Sequence, residues 1–293
     1  MAVHPLFSRE TYRFLDGAMG TVAQSCGLAP GESPALLAVT NRPLLEEIHT
    51  RYLSAGSNVI YTNTFSASEV QLRGSGHTPE DVVPAAVAAA RAAADKFPGS
   101  YVALDIGPTG ELLDPYGDLE FDEAVEIFSR TLRLGKDADL VVFETFADLE
   151  ELTAGITAAK KCFDGPIICS MSFDKRGYTF MGCSVEAFAE RALELGVSAV
   201  GMNCGYGPDD MFESAKRLCA ATPENFPVFV KPNAGLPRSD GSGYDLSPAE
   251  FGEKMRPYLD LGLTFVGGCC GTSPDYITAL TNVFGGKKPP QKP

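Results

Sequence analysis

Eight short apolar runs alternate with eight longer segments of helical period along the 293 residues, and no other feature of the chain limits its fold so strongly. The runs read RFLDGAM, NVIYTNTF, YVALDIG, LVVFETF, PIICSMSF, AVGMNC, PVFVKPNAG and FVGGCCG. Their two alternating sets of positions are both largely apolar, as strands of a parallel sheet must be when helices cover it. Between them lie segments such as PEDVVPAAVAAARAAADKF, DLEELTAGITAAKKC and SPAEFGEKMRPYLDLG, which open on Ser, Asp or Pro followed by acidic residues, as helix starts do. Eight such units in fewer than 300 residues predict a (β/α)8 barrel. An open doubly wound sheet is the rival, but no strand-to-helix turn here carries G-x-G-x-x-G. No composition shift marks an internal boundary, so residues 1–285 are expected to form one barrel domain. Residues 286–293, GKKPPQKP, are expected to fray as a disordered tail, having nothing apolar to bury.

A barrel builds its active site at the C-terminal ends of its strands. There the runs carry Asp16, Asn63, Thr64, Asp105, Glu144, Asn203, Cys204, Asn233, Cys269 and Cys270. The formal net charge of −14 argues against nucleic acid as a partner, because phosphate binding needs clustered Lys and Arg. No apolar stretch approaches the roughly 20 residues needed to span a bilayer, and the first residues lack the signature of a secretion signal. A cytoplasmic location with no membrane partner is expected. The eight cysteines are too sparse for a disulfide scaffold. Cys162, Cys169 and Cys219 read as buried, reduced thiols, and Cys26 and Cys183 receive no role.

Cys204 ends the sixth run, and Cys269 and Cys270 end the eighth. In a barrel these three thiols converge on one rim. Two readings stay open on placement alone: buried cysteines or a strained vicinal disulfide, and a metal site. Three thiolates make a soft donor set suited to zinc, with a fourth position free for a ligand. The three histidines stand at positions 4, 49 and 77, away from every strand end, which excludes a His-rich zinc site and a His-based triad. Zinc already carrying three thiolates is a poor activator of water and a suitable host for a sulfur substrate. An ordinary thiol, with a pKa near about 8.5, is only slightly ionised at neutral pH, and coordination lifts that limit. Thiol alkylation is the reaction such a site suggests.

The segments LDGAMGT (15–21), YTNTFSAS (61–68), DIGPTG (105–110), FETF (143–146), GMNCGYGP (201–208), KPNAGLP (231–237) and GGCCGT (267–272) together resemble the homocysteine S-methyltransferase family. The resemblance runs in order along almost the whole chain and is nearest to the homocysteine-binding module of the cobalamin-dependent members. It implies a (β/α)8 barrel, agreeing with the strand count. It also implies that Cys204, Cys269 and Cys270 are catalytic zinc ligands with homocysteine sulfur in the open position. Asp16 and Glu144 match the acids that hold the substrate amino group, and Gly17 lies beside them in the same motif. Without the motif, a helix cap or a rim salt bridge would be the ordinary reading of either acid. Two positions depart from the family pattern: Gly205 stands where Ser is frequent, and Tyr276 where His often follows GGCCGT.

The donor is expected to be a methylcorrinoid, methylcobalamin carried by a partner protein or domain. The chain has no Trp for caging a quaternary ammonium, and Ser66 follows Phe65 where betaine-type members resemble an aromatic. Members that use S-methylmethionine resemble GGCCRT, whereas this chain has Gly271. Nothing after the eighth helical segment leaves room for a cobalamin module, so the donor is expected in trans or elsewhere on a longer polypeptide. The alternatives are S-methylmethionine or betaine as donor, another thiol or selenol as acceptor, and a non-catalytic zinc- or thiol-binding module. GPTG and KPNAGLP are expected to shape turns.

Overall fold

The computed structural model describes residues 4–29, 31–241 and 243–292. In chain order its elements are β1 (Arg13–Phe14), α1 (Met19–Ser25), α2 (Leu37–Thr40), α3 (Arg42–Ser54), β2 (Val59–Tyr61), α4 (Pro79–Ala94), β3 (Tyr101–Ile106) and α5 (Phe121–Leu134). There follow β4 (Leu140–Phe146), α6 (Leu149–Cys162), β5 (Ile167–Met171), α7 (Val185–Glu194), β6 (Ala199–Asn203), α8 (Pro208–Ala220), β7 (Val228–Lys231), α9 (Pro248–Met255), β8 (Phe265–Val266) and α10 (Pro274–Phe284). All strand pairs are parallel, in the order β1-β8-β7-β6-β5-β4-β3-β2. A parallel bridge between Leu15 and Val59 joins β1 to β2 and completes the ring. The molecule is a single (β/α)8 barrel, as the eight alternating units predict.

Strand alternation sorts the core into two parts. Val59, Tyr61, Ala103, Leu140, Val142, Ile168, Ala199, Phe229 and Phe265 fill the barrel interior. Leu6 and Phe7, from the 3-10 turn Pro5–Phe7, join that inner cluster, and Phe7 meets Phe265 edge-on at 5.7 Å. The other parity, including Ile60, Val141, Phe143, Val200 and Val230, packs against the helices. Several helix starts are fixed by the residues that announce them. The Ser184 and Ser247 side chains accept from Ala187 N and Glu250 N, and Thr78 with Asp81 closes a capping box on α4. The α4 alanines 86, 89, 90, 93 and 94 are all buried, so their small size permits close packing rather than merely favouring helix.

Differences from the sequence reading are local. The Gly-rich stretch after β1 turns directly into α1, which no apolar period announces. Residues 286–292 do not hang free: Pro289 is buried, Arg9 Nη2 donates to Pro290 O, and Lys292 Nζ donates to Pro223 O. Polar anchoring replaces the apolar burial that their composition lacks; residue 293 lies outside the described residues. Cys169 and Cys219 are buried, but Cys162, at the end of α6, is only partly covered. Among the described residues no helix is long and apolar enough to cross a membrane.

Candidate metal and substrate site

Period-two alternation carries the inward-facing parity past the hydrophobic interior and up to the mouth. Two residues beyond Ala103 stands Asp105, beyond Val142 stands Glu144, beyond Ile168 stands Ser170, and beyond Phe229 stands Lys231. All four are buried. They lie below a cavity of about 360 Å³ at the C-terminal ends of the strands. Asp16, Gly17, Asp105, Glu144, Lys231, Cys204, Cys269 and Cys270 line it, with Met19 and Phe65 on its apolar side.

The three thiols converge. Their sulfurs all lie within 4.8 Å of one another, with Cys204 Sγ 3.7 Å from Cys270 Sγ. Cys204 reaches this position because its backbone is left-handed, at φ 64°, and Gly205 follows at φ 77°. Serine at 205 would be strained in that conformation. The 267–272 loop is pinned by backbone bonds on both sides: Gly268 N donates to Asp16 O, Cys269 N to Pro232 O, and Ala234 N to Cys270 O. At Gly17, a Cβ would stand 2.6 Å from Thr272 Oγ1 and 2.9 Å from Tyr52 OH, so packing alone requires glycine.

Hydrogen bonds from Cys269 and Cys270 hold the Cys204 thiol down at about 3, while donation to Cys204 pushes Cys269 up to about 11 and Cys270 higher still. Four-coordinate zinc with bonds of about 2.3 Å places sulfurs roughly 3.8 Å apart, near the Cys204–Cys270 separation. The donor set fits zinc.

Behind the thiols, Asn203 is fully buried and ties three strands together. Its Oδ1 accepts from Thr145 N (2.9 Å) and Ser170 Oγ (2.8 Å); its Nδ2 donates to Thr145 Oγ1 (2.6 Å) and Cys269 Sγ (3.7 Å). Thr145 is left-handed, at φ 65°, and the β4–β5 register shifts between Phe143 and Phe146. This bulge re-aims the chain beside Glu144.

Sequence reasoning missed Lys231, which it left inside an expected turn. Its Nζ lies 3.2 Å from Asp16 Oδ1, 3.4 Å from Glu144 Oε2 and 3.5 Å from the centroid of the Tyr61 ring. Asp16 Oδ2 meanwhile accepts from Tyr61 N at 2.7 Å. An isolated Lys two positions beyond an inward Phe was the signal that could have found it. Burial pushes Asp16, Asp105 and Glu144 upward, Glu144 to about 7. Burial also pulls Lys231 down, but Glu144, Tyr61 and Asp16 outweigh it and keep the lysine charged. Of the other expected mouth residues, Asn63 lines the cavity, Thr64 bonds Asp105 O, and Asn233 is buried with Oδ1 unpartnered.

A (β/α)8 barrel that gathers three thiols over a buried acid–lysine cluster defines a class: a barrel enzyme with a metal-competent, thiol-rich centre. The profile of the homocysteine S-methyltransferase family matches residues 13–284, and the chain belongs to that family. Methionine synthase of Mycobacterium leprae (strain TN) is 31% identical over 284 residues, which are 89% of this chain and 23% of the relative. Methionine synthase of Mycobacterium tuberculosis (strain ATCC 25618 / H37Rv) is 30% identical over 300 residues, 94% of this chain and 25% of the relative. The chain thus spans about a quarter of the length of these curated relatives. Among solved structures, the metallated homocysteine methyltransferase MmuM of Escherichia coli superposes with a TM-score of 0.80 at 21% identity, covering 96% of this chain and 99% of that one. Its oxidised form gives 0.77 at 23% identity, covering 92% and 95%. These two likenesses bear on the fold.

Proposed function

We propose that this chain is a zinc-dependent S-methyltransferase of small thiols, with homocysteine as the acceptor its family implies and methionine as the product. The observation that carries the reading is the convergence of Cys204, Cys269 and Cys270 within 4.8 Å on one open cavity. When bound, zinc supplies a Lewis-acid position that lowers the acceptor thiol's pKa and keeps its sulfur nucleophilic. The chain's own residues do the rest. Asn203 donates to Cys269 Sγ and holds that ligand in place. Asp16, Gly17 and Glu144 line the acceptor end, while Met19 and Phe65 limit water around the sulfur. The acceptor gives up its thiol proton to solvent. Its sulfur lone pair then forms the S–CH3 bond as the bond between methyl and donor breaks, the electron pair staying on the donor.

A methylcorrinoid on a partner protein or domain is the proposed donor. Large apolar side chains are exposed on the loops after β3, β5 and β7, among them Leu112, Tyr116, Phe180 and Leu236; Phe180 is 93% exposed. Loops after barrel strands surround the mouth, so this pattern suits a macromolecule seated over it. Gly271 supports the same choice. It is left-handed at φ 81°, and a Cβ there would stand 2.2 Å from the Tyr244 ring, leaving no space for the arginine of GGCCRT. The test is methionine formation at matched homocysteine with methylcobalamin (free and protein-borne), betaine and S-methylmethionine. Turnover with the corrinoid and little with the two onium compounds is expected. Turnover with either onium compound and none with any methylcorrinoid would overturn the donor and leave the thiol chemistry standing.

A further inference from the structure

A carboxylate pair facing a cavity recognises a ligand ammonium only if its own cationic position is open. Here it is filled from within. Lys231 Nζ sits between Asp16 Oδ1 and Glu144 Oε2, and the Tyr61 ring lies beneath it. Two carboxylates and a π face satisfy the three N–H donors of a lysine ammonium. Lys231 and Asp16 side chains are each 3% exposed, so solvent makes little contact with the pair. Drawing Nζ away would strand two buried carboxylates and a buried cation, a strongly unfavourable exchange. The second oxygen of Asp16 is committed as well, to Tyr61 N.

We infer that Lys231 is the residue that sets acceptor specificity: it is a built-in ammonium in the position between Asp16 and Glu144, so the pocket accepts small thiols that carry no ammonium of their own. Homocysteine can also enter through its sulfur but gains nothing from its amino group. The inference rests on the reading that the cavity takes a thiol acceptor beside the metal. One other carboxylate has to be considered. Asp105 lines the same cavity, and its Oδ1 is buried without a hydrogen-bond partner. If an incoming ammonium were bound at all in the unaltered protein, Asp105 is where it would go.

The experiment compares two thiols that differ only in the ammonium, homocysteine and 4-sulfanylbutanoate, binding to the cobalt(II)-substituted protein. Sulfur coordination is read from the thiolate-to-cobalt charge-transfer absorption, so no methyl donor is needed. In the unaltered protein the two dissociation constants are expected to agree within about threefold, or to favour the desamino thiol. Lys231→Met opens the position between the acids, and preference for homocysteine should then rise about ten- to a hundredfold, the scale of a charge-assisted hydrogen bond. A homocysteine preference above about tenfold in the unaltered protein overturns the inference, with no dependence on how the variant folds. Loss of that preference in Asp105→Asn would then locate the ammonium at Asp105. If neither thiol changes the cobalt spectrum, it is the thiol-acceptor reading itself that fails.

Discussion

Replacing Asn203 by alanine isolates the brace behind the thiols. In the folded protein the Asn203 amide satisfies Thr145 N, Ser170 Oγ and Thr145 Oγ1, and it reaches Cys269 Sγ. Alanine leaves the Thr145 N–H and the Ser170 hydroxyl, the latter fully buried, without their acceptor. Each such donor costs about 1–3 kcal/mol. The left-handed Thr145 stores roughly a further 1–2 kcal/mol, part of which relaxes once the brace is gone and offsets the loss. A net destabilisation of about 2–5 kcal/mol results, a large share of the roughly 5–15 kcal/mol typical of a folded domain. Chemical denaturation of the metal-free protein measures it, so zinc loss does not enter. Asn203→Asp separates the structural from the metal-directed effect. It keeps the oxygen that Thr145 N and Ser170 require, yet turns an acceptor toward Cys269 Sγ; stability should fall less than in the alanine variant, and zinc affinity, measured against a chelator, at least about tenfold. A loss below about 1 kcal/mol in Asn203→Ala would refute the reasoning.

Three other outcomes are expected. Cys204→Ala, Cys269→Ala and Cys270→Ala should each abolish tight zinc binding by metal analysis, and retention of full zinc in all three would locate the metal elsewhere. His49 is buried on α3 with neither ring nitrogen hydrogen-bonded, and burial holds it down at about 3. A depressed folded-state value in a base means that the unfolded chain takes the proton first. Stability is therefore complete above about pH 6.5 and falls between there and about pH 3, by about 2 kcal/mol at pH 5; His49→Leu should flatten that arm of the pH–stability curve, and an unchanged curve would exclude His49 as its source. Gly271→Ala forces a Cβ into the Tyr244 ring at a left-handed backbone, so unfolding experiments should show a loss of about 2–4 kcal/mol; a loss under about 0.5 kcal/mol would mean that Tyr244 moves aside freely.

The barrel was legible because burial on both strand faces and capped helices are written locally, in runs such as LVVFETF and in SPAE with its Ser247–Glu250 capping box. Strand ends were less so. FVGGCCG is strand only at Phe265–Val266: Gly267 N still donates to Val230 O of β7, and beyond it Gly268 N turns to Asp16 O and starts the loop. Helix α1 escaped notice because seven residues with no polar–apolar period follow directly from a glycine-containing strand end. The thiols were found from their positions, since three cysteines at strand ends can meet nowhere except the mouth. Lys231 was not, because its meaning lies in contacts with Asp16 and Glu144, which come from opposite parts of the chain. Asn203 was placed at the mouth, but its bonds to Thr145 and Ser170 depend on a bulge that no local pattern specifies.

Strand length is unevenly distributed around the ring. β3, β4 and β5 contain six, seven and five residues, whereas the neighbours β1 and β8 contain two each. A ring with short ladders at one place yields there first, and local opening follows the least-bonded elements. Asp16, Cys269 and Cys270 hang from that compliant seam; Glu144, Asn203 and Cys204 stand on the longer arc across from it. A cation gripped by Cys204 on one side and the Cys269–Cys270 pair on the other would act as a clasp, and the ring would be stiffest with that cation in place.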